Sequence, residues 1–167
     1  MFRKIDDFLA SYKQLSESTA RVLATLTDES INQTVVDGHR ALGQIAWHIV
    51  ATIPEMMGRT GLGLSSVNEH TPPPSTASEI LEGYKAASSE LLTVLKSTWT
   101  DETLTEIDDM YGQKWPRGMS LAALLSHEIH HRGQMTVLMR QAGLKVPGTS
   151  GPAKEEWTQY GMEAPPY

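Results

Sequence analysis

The sequence contains no cysteine. That excludes disulfides, thiol nucleophiles and thiolate-held zinc or iron–sulfur sites, so any metal must be held by His, Asp or Glu. Basic charge is also scarce: 14 Lys and Arg stand against 20 Asp and Glu, a net charge of −6. Such a chain lacks the electrostatic footprint of a nucleic-acid binder and the basic face of a helix lying on an anionic membrane. No apolar run approaches the roughly 20 residues of a membrane span. The stretch Met1–Asp7 carries Arg3, Lys4, Asp6 and Asp7 in place of an apolar signal core. These absences lead to the expectation of a cytoplasmic protein with neither a membrane nor a nucleic acid as partner. What is present, 167 residues of which 40% are hydrophobic and 20% charged, suits one globular domain over 1–167.

Four segments carry helical periodicity. In the first, roughly 2–27, Ile5, Phe8, Tyr12, Leu15, Thr19, Val22 and Leu26 step by three and four residues, with Asp6 and Asp7 where the helix dipole favours negative charge. The second, roughly 38–59, has Leu42, Ile45, Ile49, Ile53 and Met56 as its stripe and Asp37 as N-cap. Pro54 inside it predicts a kink or an early end. The third, roughly 76–99, opens on a Thr76–Glu79 capping box and buries Ile80, Tyr84, Ala87, Leu91 and Leu95. The fourth, roughly 120–142, is capped by Ser120, with Met119 stapled onto Leu124, and ends at Gly143. Residues 103–116 allow a short hairpin around Gly112, and the tail 143–167 allows a helical turn or two over 154–160. The expected fold is all-α, a four-helix bundle. Its connections of about 10, 16 and 20 residues exceed what antiparallel neighbours need, so at least one crossover is expected.

The six histidines carry the chemistry. Three fall in His127-Glu128-Ile129-His130-His131. At about 100° per residue, His131 lies one turn from His127 on the same face, so both are expected to point into the core stripe of Leu124, Met135 and Leu138. An imidazole at a core position must be hydrogen-bonded or metal-bound, because burying an unsatisfied polar group costs about 1–3 kcal/mol. Two of them one turn apart suit a metal, and His48, at the edge of the apolar arc of the second helix, is the candidate third ligand. Gln44, Thr52 and Glu55 surround it as possible hydrogen-bonding partners or a fourth ligand. His130 lies on the flank, and His39 and His70 read as surface residues. The simpler alternative is a pair of satisfied core histidines with no metal.

Two other metal readings compete. The segment 127–131 is literally H-E-x-x-H, the zincin metalloprotease pattern, in which Glu128 would be the general base. It lacks an upstream sheet for extended substrate, and Gly133 with no third His fails the extended form of that motif. A di-iron bundle needs two Glu-x-x-His motifs on different helices, and Ile45 stands where the second Glu would be.

The chain resembles the DinB/YfiT-like superfamily of bacterial metal-binding four-helix bundle proteins. The resemblance rests on Leu42-Gly43-Gln44-Ile45-Ala46-Trp47-His48 and, more strongly, on His127-Glu128-Ile129-His130-His131-Arg132-Gly133-Gln134, close to H-x-x-x-H-R-G-Q. It implies a metal triad of His48, His127 and His131, one divalent ion per chain such as nickel or zinc, and a homodimer. Thiol-dependent transferases and isomerases that use low-molecular-weight thiols are among the family's activities. The reading that follows is a metal-dependent enzyme acting on a small molecule, of thiol-dependent transferase or hydrolase type. A non-catalytic metal- or ligand-binding stress-response protein is the alternative from a different class. No acid–base residue stands out, with Gln44, Glu55, Tyr84 and Gln134 as geometric candidates. Trp47 is expected to pack between helices or at an interface, and the apolar back face of Leu125 and Ile129 to meet a second copy or the tail.

Overall fold

The computed structural model describes residues 1–166. Four helices dominate: α1 (Ile5–Leu23), α2 (Leu42–Gly58), α3 (Ala77–Thr98) and α4 (Arg117–Gln141). Strands β1 (Ile107–Met110) and β2 (Gln113–Pro116) form an antiparallel hairpin just before α4, and short 3-10 turns occupy Ser30–Asn32, Thr103–Thr105 and Lys154–Tyr160. The expected all-α bundle is therefore present, with the hairpin as its one addition among the described residues.

Helix α1 packs against α3 and α4, and α2 packs against the same two. The helices thus run around the bundle in the order α1, α3, α2, α4, and the α1–α2 and α3–α4 connections both cross a diagonal. The long connections anticipated this crossover, since a chain crossing a bundle end needs more residues than a tight turn supplies. The arrangement sets the two histidine-bearing helices, α2 and α4, side by side.

The stripe on α1 is buried as its spacing requires, with Phe8, Tyr12, Leu15, Thr19 and Val22 in the core. The α1 N-terminus is satisfied from outside the helix: Ile5 N–H donates to Asp101 Oδ1 at 2.9 Å, and Lys4 pairs with the other carboxylate oxygen. On α3, Thr76 is the N-cap and its Oγ1 accepts from Glu79 N–H.

Three helix starts or interiors differ from the sequence expectation. Asp37 does not cap α2. The chain stays extended to Ala41, where Leu42 N–H donates to the Gln33 carbonyl and Gln44 Oε1 reaches back to Ala41 N–H at 2.8 Å. Helix α2 does not end at Pro54 but continues to Gly58, because one missing donor is outweighed by burying Ile53, Met56 and Met57 on either side. Ser120 does not cap α4 and Met119 forms no staple; both lie inside a helix that begins at Arg117. The hairpin delivers the chain at Pro116, whose φ of −62° and extended ψ make it the N-cap residue, while Arg117 is fixed by Asp108 and by the Glu106 carbonyl.

The hairpin turns at Tyr111 (φ 58°) and Gly112 (φ 81°), the two left-handed residues of a type I′ turn. Glycine adopts this backbone freely, but tyrosine does so at a cost of about 1–2 kcal/mol. Three contacts hold Tyr111 there. Its hydroxyl donates to Glu55 Oε2 at 2.6 Å, the Arg59 guanidinium sits 4.2 Å from its ring centroid, and Trp115 packs edge-on. The hairpin tip is thereby fastened to the C-terminal half of α2.

Candidate metal centre

Helix α2 presents His48, and α4 presents His127 and His131 one turn apart. His127 Nε2 lies 3.2 Å from His48 Nε2 and 3.1 Å from His131 Nε2. The ligand nitrogens of all three lie within 4.8 Å of one another. Two facing imidazole nitrogens can share one proton, but three converging ones cannot all be satisfied that way. A single ion about 2.0–2.1 Å from each nitrogen satisfies all of them. At that bond length, separations of 3.1–3.2 Å correspond to ligand angles of about 100°, between the facial octahedral and tetrahedral values. The residues fit a divalent ion.

Protonation also favours a metal. Burial is the main cause that lowers the His48 imidazole from 6.5 to about 4, with Arg40 and then His131 adding repulsion. His127 falls to about 4 through burial and then through His131, His48 and His130. His131 is lowered chiefly by burial, against which its bond to Gln134 acts. That bond, Nδ1 to Gln134 Oε1 at 2.7 Å, requires the proton on Nδ1, because the amide oxygen only accepts. It leaves the Nε2 lone pair free for an ion.

These shifts carry a pH prediction for the metal-free protein. Between pH 6.5 and about 4 the unfolded chain protonates His48 and His127 while the folded chain does not. Stability from this source is complete above about pH 6.5 and is lost as pH falls toward 4. Thermal melts of metal-stripped protein between pH 7 and 4 should show a steeper loss for the wild type than for the His48→Ala, His127→Ala double variant. Equal slopes would contradict the assignment.

The triad is half-buried, which corrects the expectation that His127 and His131 point into the core stripe. The core face of α4 keeps the expected Leu124, Met135 and Leu138 with Leu121 and Met139, but Glu128 and Arg132 fill it where the histidines were expected. Glu128 is only 2% exposed. Its Oε1 accepts from Thr19 Oγ1 and from the Tyr84 hydroxyl, both at 2.6 Å, and Arg132 Nη1 donates to Thr19 Oγ1 at 3.2 Å. Burial pushes the Glu128 carboxyl up, and the same burial raises the Tyr84 phenol. The zincin reading fails on this geometry, because Glu128 is hydrogen-bonded in the core between α1, α3 and α4 and not aimed at substrate. Tyr84, an acid–base candidate in the sequence, belongs to this interior network as well.

The other singled-out residues divide clearly. Glu55 is not a ligand: Arg59 holds its Oε1 at 2.7 Å and Tyr111 its Oε2, although it does line the cavity beside the triad. Gln44 is spent on the α2 N-terminus, and Thr52 Oγ1 donates back to the His48 carbonyl at 2.7 Å. His130 is exposed and stacks edge-on against His131. His39 and His70 are exposed, as expected. Trp47 packs between α2 and α3 over Gly83, and its Nε1–H donates to the Thr71 carbonyl.

Depressions open on either side of the triad. A cavity of about 590 Å³ is bounded by His48 and His127 together with Glu55, Tyr111, Trp115 and Glu69. A second, of about 680 Å³, is bounded by His131 with Arg40, Val36 and Val137. Sequence reasoning missed Arg40 and Tyr111. Arg40 precedes a helix with no motif around it, and the only signal for Tyr111 was the neighbouring Gly112.

The DinB family model matches residues 1–164. The chain is 47% identical over 165 residues to the uncharacterized protein YrdA of Bacillus subtilis strain 168, with 99% of both chains covered. It is also similar to the crystal structure of a DinB-like protein from Bacillus cereus ATCC 10987. That likeness has a TM-score of 0.85 at 45% identity and covers 89% of this chain and 99% of that one. A DinB-like protein of Bacillus subtilis, YjoA, shares the fold at a TM-score of 0.69 and 16% identity, with 86% and 97% covered. The protein belongs to the DinB family. Among the described residues no helix is long and apolar enough to cross a membrane.

Proposed function

We propose that the protein is a metal-dependent enzyme acting on a small molecule, of thiol-dependent transferase or hydrolase type, with His48, His127 and His131 holding one nickel or zinc ion. The observation that carries this reading is an incomplete ligand set facing open space. Three histidines converge, no carboxylate among the described residues joins them, and cavities reach the triad from two sides. A storage site would close its coordination with protein groups, whereas a catalytic one leaves positions free. When bound, a divalent ion there supplies Lewis acidity and a seat for a thiolate or a carbonyl oxygen.

The chain's own groups supply the rest. Neutral imidazoles leave the ion its full charge, and Gln134 holds the His131 ring in the metal-binding tautomer. Tyr111, Trp115 and Met56 give the first cavity an apolar part of its wall. Of the two carboxylates in that wall, Glu55 and Glu69, Glu55 is the one kept in place by Arg59 and Tyr111, where it can orient a bound substrate.

The test is a panel of small thiols (cysteine, glutathione, cysteamine) against electrophiles such as monochlorobimane and 1-chloro-2,4-dinitrobenzene, with ester hydrolysis alongside. Protein stripped of metal and then reloaded with zinc or nickel should turn over at least one combination. The stripped protein and His127→Ala should not. Turnover that is equal in stripped and reloaded protein, or none in any combination, would overturn the proposal.

A further inference from the structure

The two depressions beside the triad differ in charge. The one reached through His48 and His127 has two carboxylates in its wall, Glu55 and Glu69. The one reached through His131 has no acidic residue in its wall and contains Arg40. Arg40 also borders a shallow depression lined by His48 and Gln44, so it lines two depressions that each reach one histidine of the triad. It forms no ion pair and no side-chain hydrogen bond among the described residues. Arg59, Arg117 and Arg140 each pair with a carboxylate; Arg3 and Arg21 do not, but neither borders a depression beside the triad.

The walls around Arg40 are apolar. Val35, Val36 and Val137 are 66%, 56% and 57% exposed, and Ile45 and Leu138 lie beneath them. Scattered exposed valines are ordinary, but three around one cavity are a surface that gains by being covered. Charge points the same way. Three neutral imidazoles do nothing to offset a divalent ion, and Arg40 adds a further positive charge beside it, so the site favours an anion. Arg40 is close enough to His48 and His131 to disfavour their protonation, which places it within electrostatic reach of the ion's seat.

We propose that the cavity between Arg40, His131 and the three valines binds a small carboxylate with a short apolar tail, Arg40 pairing with the carboxylate and Val35, Val36 and Val137 covering the tail. A guanidinium matches a carboxylate through two parallel N–H donors, which a lysine ammonium cannot reproduce. This substrate class rests on the reading of the triad as an open metal site.

The experiment measures hexanoate, butyrate, hexanol and hexylamine binding by calorimetry to zinc-loaded and zinc-stripped wild type, Arg40→Gln and Arg40→Lys. Zinc content is determined on the same samples. Hexanoate is expected to bind zinc-loaded wild type with a Kd of about 1 mM or tighter. Butyrate should bind more weakly by about three- to four-fold per missing methylene. Hexanol and hexylamine should bind at least ten-fold more weakly. Arg40→Gln should lose about ten-fold with its zinc content unchanged, and Arg40→Lys should recover part of that.

Hexanoate binding that is indifferent to Arg40→Gln, or matched by hexylamine, overturns the proposal while a normal zinc content leaves the metal reading standing. Arg40-dependent hexanoate binding by a protein that takes up no zinc does the reverse. A dimer that Val137→Asp dissociates, with hexanoate failing to bind, assigns the valines to a second copy and overturns the proposal.

Discussion

Titration with zinc or nickel should load one ion per chain, and replacing His48, His127 or His131 by alanine should each weaken that uptake by roughly 100- to 1,000-fold. The expectation follows from how the ligands are divided. His127 and His131 come from one turn of α4, but His48 comes from α2, and the ion closes a link between two helices that already pack together. Because the two helices are held together by an apolar core of their own, little of the binding energy is spent on ordering them. His48→Ala leaves a pair on one helix, and His127→Ala leaves one ligand on each. Either remainder is open to water on most sides. Ion present at about 1,000 times its Kd adds about 4 kcal/mol of stability, which for a chain of this size raises the melting temperature by roughly 10 °C. The alanine variants should show almost none of that rise. Without metal they should melt close to the wild type, since the triad is half-buried and contributes little to the core. Gln134→Ala should fall between, at about ten-fold weaker binding, because it frees the His131 tautomer without removing a ligand.

Glu128→Ala should cost about 3–5 kcal/mol of stability, the loss expected when a buried, hydrogen-bonded ionisable group is removed and its partners stay behind. The Tyr84 hydroxyl would lose its acceptor, Thr19 would lose the oxygen it donates to, and Arg132, buried at 4% exposure, would lose the carboxyl it reaches through Thr19 Oγ1. Each stranded polar group costs about 1–3 kcal/mol. Urea unfolding should show a lower midpoint with an unchanged slope, and the melting temperature should fall by roughly 10 °C. Glu128→Gln keeps one acceptor oxygen and should lose less, about 1–2 kcal/mol. A protease general base behaves in the opposite way: removing it leaves stability almost unchanged and abolishes hydrolysis. A Glu128→Ala protein as stable as the wild type would therefore contradict the interior network and reopen the H-E-x-x-H reading.

The bundle was legible because its signals repeat. On α1 and α3 the apolar spacing, from Phe8 to Val22 and from Ile80 to Leu95, marks the buried faces with no competing feature. Helix α4 was harder. Its expected stripe of Leu124, Met135 and Leu138 is buried, but the face is completed by Glu128 and Arg132, which a hydrophobic stripe cannot reveal, so the histidines lie at its edge and not as deep as expected. The relation between them survived that error, because residues four apart share a face whichever way the helix is turned. His48 was harder to place, since nothing in one helix says which turn of another it meets. The helix starts at Leu42 and Arg117 were missed because both are set from outside: one by Gln33 and Gln44, the other by the hairpin and Asp108. Arg40 and Tyr111 line the cavities only because loops fold over the site, and loop placement leaves no periodic trace in a sequence.

The most direct test of the account is diffraction from a crystal of the zinc- or nickel-loaded protein at the metal's absorption edge. The expected result is one strong anomalous peak per chain, about 2.0–2.1 Å from Nε2 of His48, His127 and His131, with no fourth protein ligand. A peak elsewhere, no peak at the triad in protein shown to be loaded, or coordination completed by a further side chain would contradict an open three-histidine metal centre.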